Sequence, residues 1–271
     1  MTTLPTGMML HIEMSEEKNF WGHLEVLRWV LVRCLVVLFG LAVVAFCNKE
    51  FVFEQIVLAP CRNDFITYRL LSLIGAVVGG GQVEMININL ASQLMTHLSV
   101  SFYLAVVVGF PYIVAEIWFF VRPALYKGER RPAVFAAFSF FFLFYLGIAL
   151  AYFLIFPLTF NFLGNYQVSA RIVNQISLSS YIGTFVGLLF VMGLMFEMPI
   201  VAYFFGRIGV LKAGFLRRSR KVAFVVVLVA AAFITPSTDV FTMFLVALPL
   251  WLLYEFSIFV TQRAERKSAN V

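Results

Sequence analysis

Long apolar stretches alternate with short polar breaks along this chain. The apolar stretches cover 29–47, 94–121, 133–156, 178–205, 222–235 and 240–260. None shows the strict alternation of a half-buried strand, and most reach the roughly 20 residues that an α-helix needs to cross a hydrocarbon layer. In lipid every backbone donor and acceptor must be paired within the segment, so spans of this length are expected to be helices. The pattern predicts an all-α integral membrane protein: six transmembrane helices in a concave bundle, forming a single transmembrane domain over 1–271. The last two helices are expected to be short. The fifth, at about 14 residues, reaches only about 21 Å against a layer of about 30 Å. It runs into the turn Ile234-Thr235-Pro236-Ser237-Thr238-Asp239, rich in turn formers. The long segment 48–93 between the first two spans holds interrupted apolar stretches (51–59 and 65–78), Pro60 and three consecutive glycines. It is expected to form interfacial helices that cap the outer face.

Composition agrees. Of the 271 residues, 62% are hydrophobic and 13% charged, about half the charge of an ordinary soluble domain, and mean hydropathy is +0.94. This excludes a soluble enzyme and a disordered chain. The excess of 20 Lys+Arg over 14 Asp+Glu is explained by topology rather than by nucleic acid. Sixteen of the 20 fall in the N-terminal region, the 122–132 and 206–221 loops and the C-terminal tail. That asymmetry places both termini in the cytoplasm. The segment 1–20 has no basic n-region and no apolar core and carries Glu13, Glu16 and Glu17, so the first span is expected to remain as an anchor. Cys34, Cys47 and Cys61 lack metal-ligand spacing. Cys47 and Cys61 lie near the outer end of the first span, where an oxidising compartment would let them pair.

Ionisable groups inside spans are costly and therefore candidates for function. Three glutamates qualify: Glu116, Glu197 and Glu255. Glu116 and Glu255 lie about 8 Å from the basic ends of their helices, close enough to snorkel or to pair with an interfacial arginine. Glu197 is deeper, in Phe196-Glu197-Met198-Pro199, where the proline interrupts the helix and marks a polar pocket or groove. On the basic face, Glu25 and Glu129 are the exceptional carboxylates. Each reads either as a local ion pair with Arg28, Arg130 or Arg131 or as a receptor for a cationic peptide, since carboxylates take guanidinium groups bidentately. Metalloprotease, serine-hydrolase and phosphate-loop motifs are absent, and His11, His23 and His97 are scattered. No enzyme and no cofactor are expected. A proton-coupled small-solute transporter using Glu116, Glu197 and Glu255 as a relay is the alternative reading, against which no inverted repeat is visible.

Several motifs, in order, resemble the TatC family of multi-span twin-arginine translocase subunits. They are Phe20-Trp21 followed by His23-Leu24 and Leu27-Arg28; Ala59-Pro60; Glu116-Ile117-Trp118-Phe119-Phe120-Val121-Arg122-Pro123-Ala124-Leu125 with Glu129-Arg130-Arg131; Tyr152-Phe153; Phe196-Glu197-Met198-Pro199; Ile234-Thr235-Pro236; and Leu253-Tyr254-Glu255. The resemblance implies a receptor for signal peptides carrying consecutive arginines, the core of a translocase that moves folded proteins across the cytoplasmic (inner) membrane on proton-motive force. It implies small single-span partner subunits of the A and B type, contact with membrane lipid, homo-oligomers within a receptor complex, and no nucleic acid. Glu129, Glu25 and Phe120 would form the signal-peptide site, and Glu197 would be the polar residue of the groove. Pro60, Pro199 and Asp239 would mark structural or functional turns. The lead-in departs from the family pattern: the usual glutamate position is Val26, and the acid stands one residue earlier, at Glu25. One residue turns a helix by about 100°, so the resemblance puts more of the arginine binding on Glu129, helped by Glu16 or Glu17.

Overall fold

The computed structural model describes residues 6–62, 64–73, 85–121, 130–167, 169, 174–235 and 239–268; within its helices the side chains of 6–23, 121, 130–137 and 267–268 lie outside the description. The first helix, α1 (Thr6–Cys47), is a single rod of 42 residues, about 63 Å long. Its apolar part, Leu24–Cys47, has the length of a membrane crossing, and the polar lead-in is helical and continuous with it. The segment after it is built from short pieces: α2 (Lys49–Phe51), a π-helix (Val52–Val57), a 3-10 turn (Ala59–Cys61) and α3 (Ile66–Leu73). Then follow β1 (Met85–Ile86), α4 (Ser92–Val121) and α5 (Arg130–Leu150). A second π-helix (Ala151–Ile155) joins α5 to α6 (Phe156–Asn165). The remaining elements are β2 (Ile176–Ser177), α7 (Leu178–Met195), α8 (Met198–Arg207), α9 (Ala213–Arg218), α10 (Arg220–Ile234) and α11 (Val240–Ser268).

Among the described residues, five helical stretches are long and apolar enough to cross a membrane: Leu24–Cys47, Ser92–Phe120, Phe138–Asn165, Leu178–Arg207 and Val240–Arg266. The sixth apolar helix, α10, has 15 residues, about 22 Å, as its short apolar run predicts. The last helix departs from expectation: α11 has 29 residues and is not short. Its polar tail stays helical because it packs. Ala264 and Thr261 are fully buried, and the Thr261 hydroxyl donates to Ala202 O at 3.3 Å. A Cβ at Gly206 would come within 2.8 Å of Thr261 Cγ2, so only glycine lets α8 approach α11 this closely.

Pro199 marks a helix restart, in the first turn of α8, where the missing N–H costs nothing. Pro157 lies in a helical rod that runs on from the π-helix, and its missing N–H leaves Phe153 O to another donor, Thr67 Oγ1. The central packing is α5 and α4 against α7, with Phe144, Phe156, Phe185, Leu188 and Met192 buried. At the α5–α7 crossing a Cβ on Gly147 would lie 2.6 Å from the Met192 carbonyl oxygen, so this contact also requires glycine.

One end of the bundle carries a cap made of the short helices after α1. Its irregular turns leave carbonyls unpaired, and tyrosines from the bundle supply the donors. Tyr181 OH donates to Val57 O at 2.6 Å and Tyr152 OH to Ile56 O at 2.9 Å. Tyr68 OH lies 3.1 Å from both Pro60 O and Pro157 O, and Thr67 Oγ1 donates to Phe153 O. Pro60 is buried in this arrangement. Parallel pairing of Met85 with Ile176 and Ile86 with Ser177 ties the cap segment to the chain entering α7. The three cysteines are free thiols, so the Cys47–Cys61 pairing is not formed. Burial pushes the Cys61 thiol up to about 11.

The opposite, basic end is held by polar contacts around α9. Glu265 accepts from Ala213 N at 2.8 Å, Arg217 donates to Gln262 at 2.7 Å, and Tyr254 OH donates to Leu216 O at 2.7 Å.

Candidate functional site

At the basic end a groove of about 440 Å³ is lined by Glu25, Val26, Trp29 and Arg33 of α1. Positions 25, 29 and 33 recur every fourth residue, so one helix face supplies the carboxylate, the indole and the guanidinium in sequence. Glu25 and Val26 are both exposed and both line the groove. The one-residue offset from the family pattern therefore leaves the acid beside the groove rather than turning it away. Arg28 lies over the Trp29 ring, 5.7 Å from its centroid, close enough for a cation–π contact.

Arg33 connects this groove to α4. Its Nη2 lies 3.3 Å from Glu116 Oε2, and Tyr112 OH donates to Glu116 Oε1 at 2.8 Å. Tyr112 and Glu116 are four residues apart on one helix, the spacing at which side chains meet. Glu116 is thus buried and engaged at both oxygens, as the pairing interpretation of this residue anticipates. Its partner, 83 positions away in sequence, was not predictable from local spacing. Phe120 is half-buried near the end of α4. Glu129, the principal carboxylate in the sequence, lies outside the described residues, and the side chains of Glu16 and Glu17 are likewise not described.

The other two intramembrane glutamates occupy different surroundings. Glu255 of α11 accepts from Arg220 at the start of α10, at 2.6 Å, and this pair staples the last two helices together at the basic end. Glu197 sits in the turn between α7 and α8. Phe196 N still bonds to Met192 O and Glu197 N to Leu194 O, both at 3.1 Å, while the Glu197 carbonyl accepts from Ile200 and Val201, each at 3.1 Å. Its carboxyl group is buried, and among the described residues neither oxygen has a hydrogen-bond partner. An ionisable group held without a partner is expensive, which sets Glu197 apart from the two paired glutamates. Two of the three acids being tied to arginines leaves a relay through all three without support. Asp239 plays a local role: its Oδ1 accepts from Thr242 N at 2.8 Å and caps α11.

A second recess of about 470 Å³ opens at the cap end between α6 and α7, with Phe156, Thr159, Phe160, Tyr181 and Thr184 in its wall and, among the described residues, no charged side chain lining it. It offers nothing to a cationic ligand. The carboxylate-bearing groove at the basic end does.

Residues 22–249 match the family model described as "Sec-independent protein translocase protein (TatC)". The chain belongs to the TatC family. It is 32% identical over 266 residues to the Sec-independent protein translocase protein TatC of a Blattabacterium from Periplaneta americana, covering 94% of this chain and 100% of that protein. To the TatC of Campylobacter jejuni it is 34% identical, covering 87% of this chain and 89% of that one. The solved structure described as "Crystal Structure of Twin Arginine Translocase Receptor- TatC" superposes with a TM-score of 0.70 at 31% identity, over 89% of this chain and 99% of that chain. A second, "in DDM", gives 0.71 at 31% identity, over 88% and 98%. This TatC chain is therefore a multi-pass membrane component of a protein translocase. The Glu197-Met198-Pro199 break and the Tyr152 contact to the cap, both within the matched span, are features of this family member's own geometry.

Proposed function

We propose that this TatC chain is the receptor for twin-arginine signal peptides and the core subunit of a translocase that carries folded proteins across the cytoplasmic membrane, with proton-motive force as the energy source. The observation that carries this reading is the exposed Glu25 beside Trp29 in a groove at the basic end. A carboxylate and an indole together suit guanidinium groups, the first by bidentate hydrogen bonds and the second by stacking. In this reading the basic end, with both termini, faces the cytoplasm, α10 is the sixth crossing, and the cap faces the other side. Glu129, in the sequence that follows α4, supplies the second carboxylate of the arginine site, and Phe120 of the same motif contributes to it. The apolar part of the signal peptide runs along the bundle toward Glu197. The exposed apolar side chains of α10 and α11, among them Val225, Phe233, Leu252 and Phe256, face lipid and the single-span A- and B-type subunits. Copies of the chain associate within the receptor complex.

The test is binding of a fluorescent signal peptide to the detergent-purified chain, with an arginine pair compared with a lysine pair. Each charge-assisted hydrogen bond contributes about 1.5–3 kcal/mol, so Glu129→Ala and Glu25→Ala are each expected to weaken arginine-pair binding by about tenfold or more. Lysine-pair binding is weaker at the outset, because a point charge cannot engage a carboxylate bidentately. Equal affinity for both peptides in wild type and variants would overturn the receptor reading.

A further inference from the structure

The ion pair between α1 and α4 is built asymmetrically. Glu116 is fixed: its side chain is 11% exposed and Tyr112 holds the second oxygen. Arg33 is not: its side chain is 53% exposed and forms part of the groove wall with Glu25, Val26 and Trp29. Two helices stapled for stability alone would gain most from burying both partners with saturated hydrogen bonds. Here one nitrogen meets one oxygen at 3.3 Å, and the same arginine lines the groove. The local charge balance is also unsuited to a dication. Glu25 and Arg33 are the charged residues of the described lining and offset one another, so the described groove is neutral while Arg33 stays in place.

We propose that Arg33 is an internal occupant of a subsite for a guanidinium, and that a signal-peptide arginine takes its place on Glu116. The inference rests on the receptor reading and adds a third acid to it, one that lies deeper than Glu25 along α1. Eight residues separate Glu25 from Arg33, about 12 Å of helix, so the groove is long enough for two arginine side chains, one at Glu25 and Trp29 and one at Glu116. The exchange keeps the Glu116 carboxylate compensated throughout, since one guanidinium leaves as another arrives. Arg33 then swings to the lipid–water boundary, where its long side chain can keep its charge in water. The pair acts as a selectivity filter: a ligand lysine replaces a forked donor with a point charge and competes poorly with Arg33.

The test measures arginine-pair and lysine-pair peptide binding to the full chain, wild type against Arg33→Gln, Glu116→Gln and the double variant, with thermal unfolding recorded for each. Removing the competitor in Arg33→Gln is expected to tighten arginine-pair binding about threefold to tenfold. Glu116→Gln removes the acid and frees a repelling arginine, so binding weakens about tenfold or more. The double variant falls between the two. Arg33→Lys, which keeps the charge and is the variant to use if glutamine impairs folding, also binds the arginine pair more tightly than wild type. If both single variants weaken binding equally, or neither changes it while Glu25→Ala and Glu129→Ala do, the exchange is wrong and the receptor reading stands. Absence of arginine preference in wild type overturns both.

Discussion

The helices α1 and α7 are both apolar enough to cross a membrane, yet they solve different problems. Over 18 apolar residues of α1 only 6% are buried within the protein, against 56% over an equal length of the α7–α8 stretch. The sequence of α1 after Trp29 is large aliphatic and aromatic side chains facing outward, such as Leu35, Val36 and Phe39, each at least 65% exposed. The α7 sequence is mixed: Tyr181, Phe185, Leu188 and Met192 are buried, and glycines and hydroxyls are interleaved with them. Lipid tails are as apolar as leucine, so hydrophobicity inserts a helix without telling it where to pack. Packing comes from close approach and from hydrogen bonds, and those residues make α7 the less uniformly apolar of the two.

Substitutions sharpen this comparison. Gly147→Val at the α5–α7 crossing is expected to have the largest effect, about 3 kcal/mol of destabilisation, because the new Cβ meets a backbone carbonyl that cannot step aside. Unfolding of the purified chain in detergent measures it; an unchanged midpoint would mean that the crossing is loose. Glu197→Leu works in the opposite direction. Removing a buried carboxyl without a partner should stabilise the chain by about 2 kcal/mol, while protein export in cells declines. A destabilised variant would reveal a bonded carboxyl. Tyr181→Phe deletes the hydroxyl that holds Val57 O and should cost about 1 kcal/mol, with faster amide exchange in the cap. At the small end, Phe39→Ala on α1 should shift stability by less than about 0.5 kcal/mol, since one apolar surface replaces another in lipid. A larger loss at Phe39 would show that another chain covers that face, and the contrast with α7 would narrow.

The fold class was readable from the apolar runs, and the helix break at Pro199 was readable from its chemistry. The short α10 followed from counting residues. What escaped the sequence is contact between distant positions. Arg33 enters a linear reading only as one more positive charge, because its partner Glu116 is brought beside it by the α1–α4 packing. The tail after 260 reads only as the basic end of the chain, whereas buried Thr261 and Ala264 keep it helical, Thr261 by its bond to α8. Glu197 could be singled out by depth and by its proline, but its lack of a hydrogen-bond partner among the described residues is a property of the three-dimensional surroundings. Glu25 shows the converse: a one-residue offset looked like a loss on a helical wheel, and the groove proved wide enough to take both positions.

The π-helix over Ala151–Ile155 closes with Phe156 N bonding to Ala151 O, five residues back. One turn with an extra residue acts as a phase shifter: everything after it is rotated by about 100° relative to an unbroken α-helix. The third crossing is thus two half-rods in different helical phase that both meet α7, through Phe144 and Gly147 in the first half and through Phe156 against Tyr181 and Phe185 in the second. Deleting a single residue between 151 and 155 would restore ordinary helical phase and rotate the second half away from the cap it supports. The length of this segment, rather than the identity of any side chain in it, is therefore what the fold holds constant.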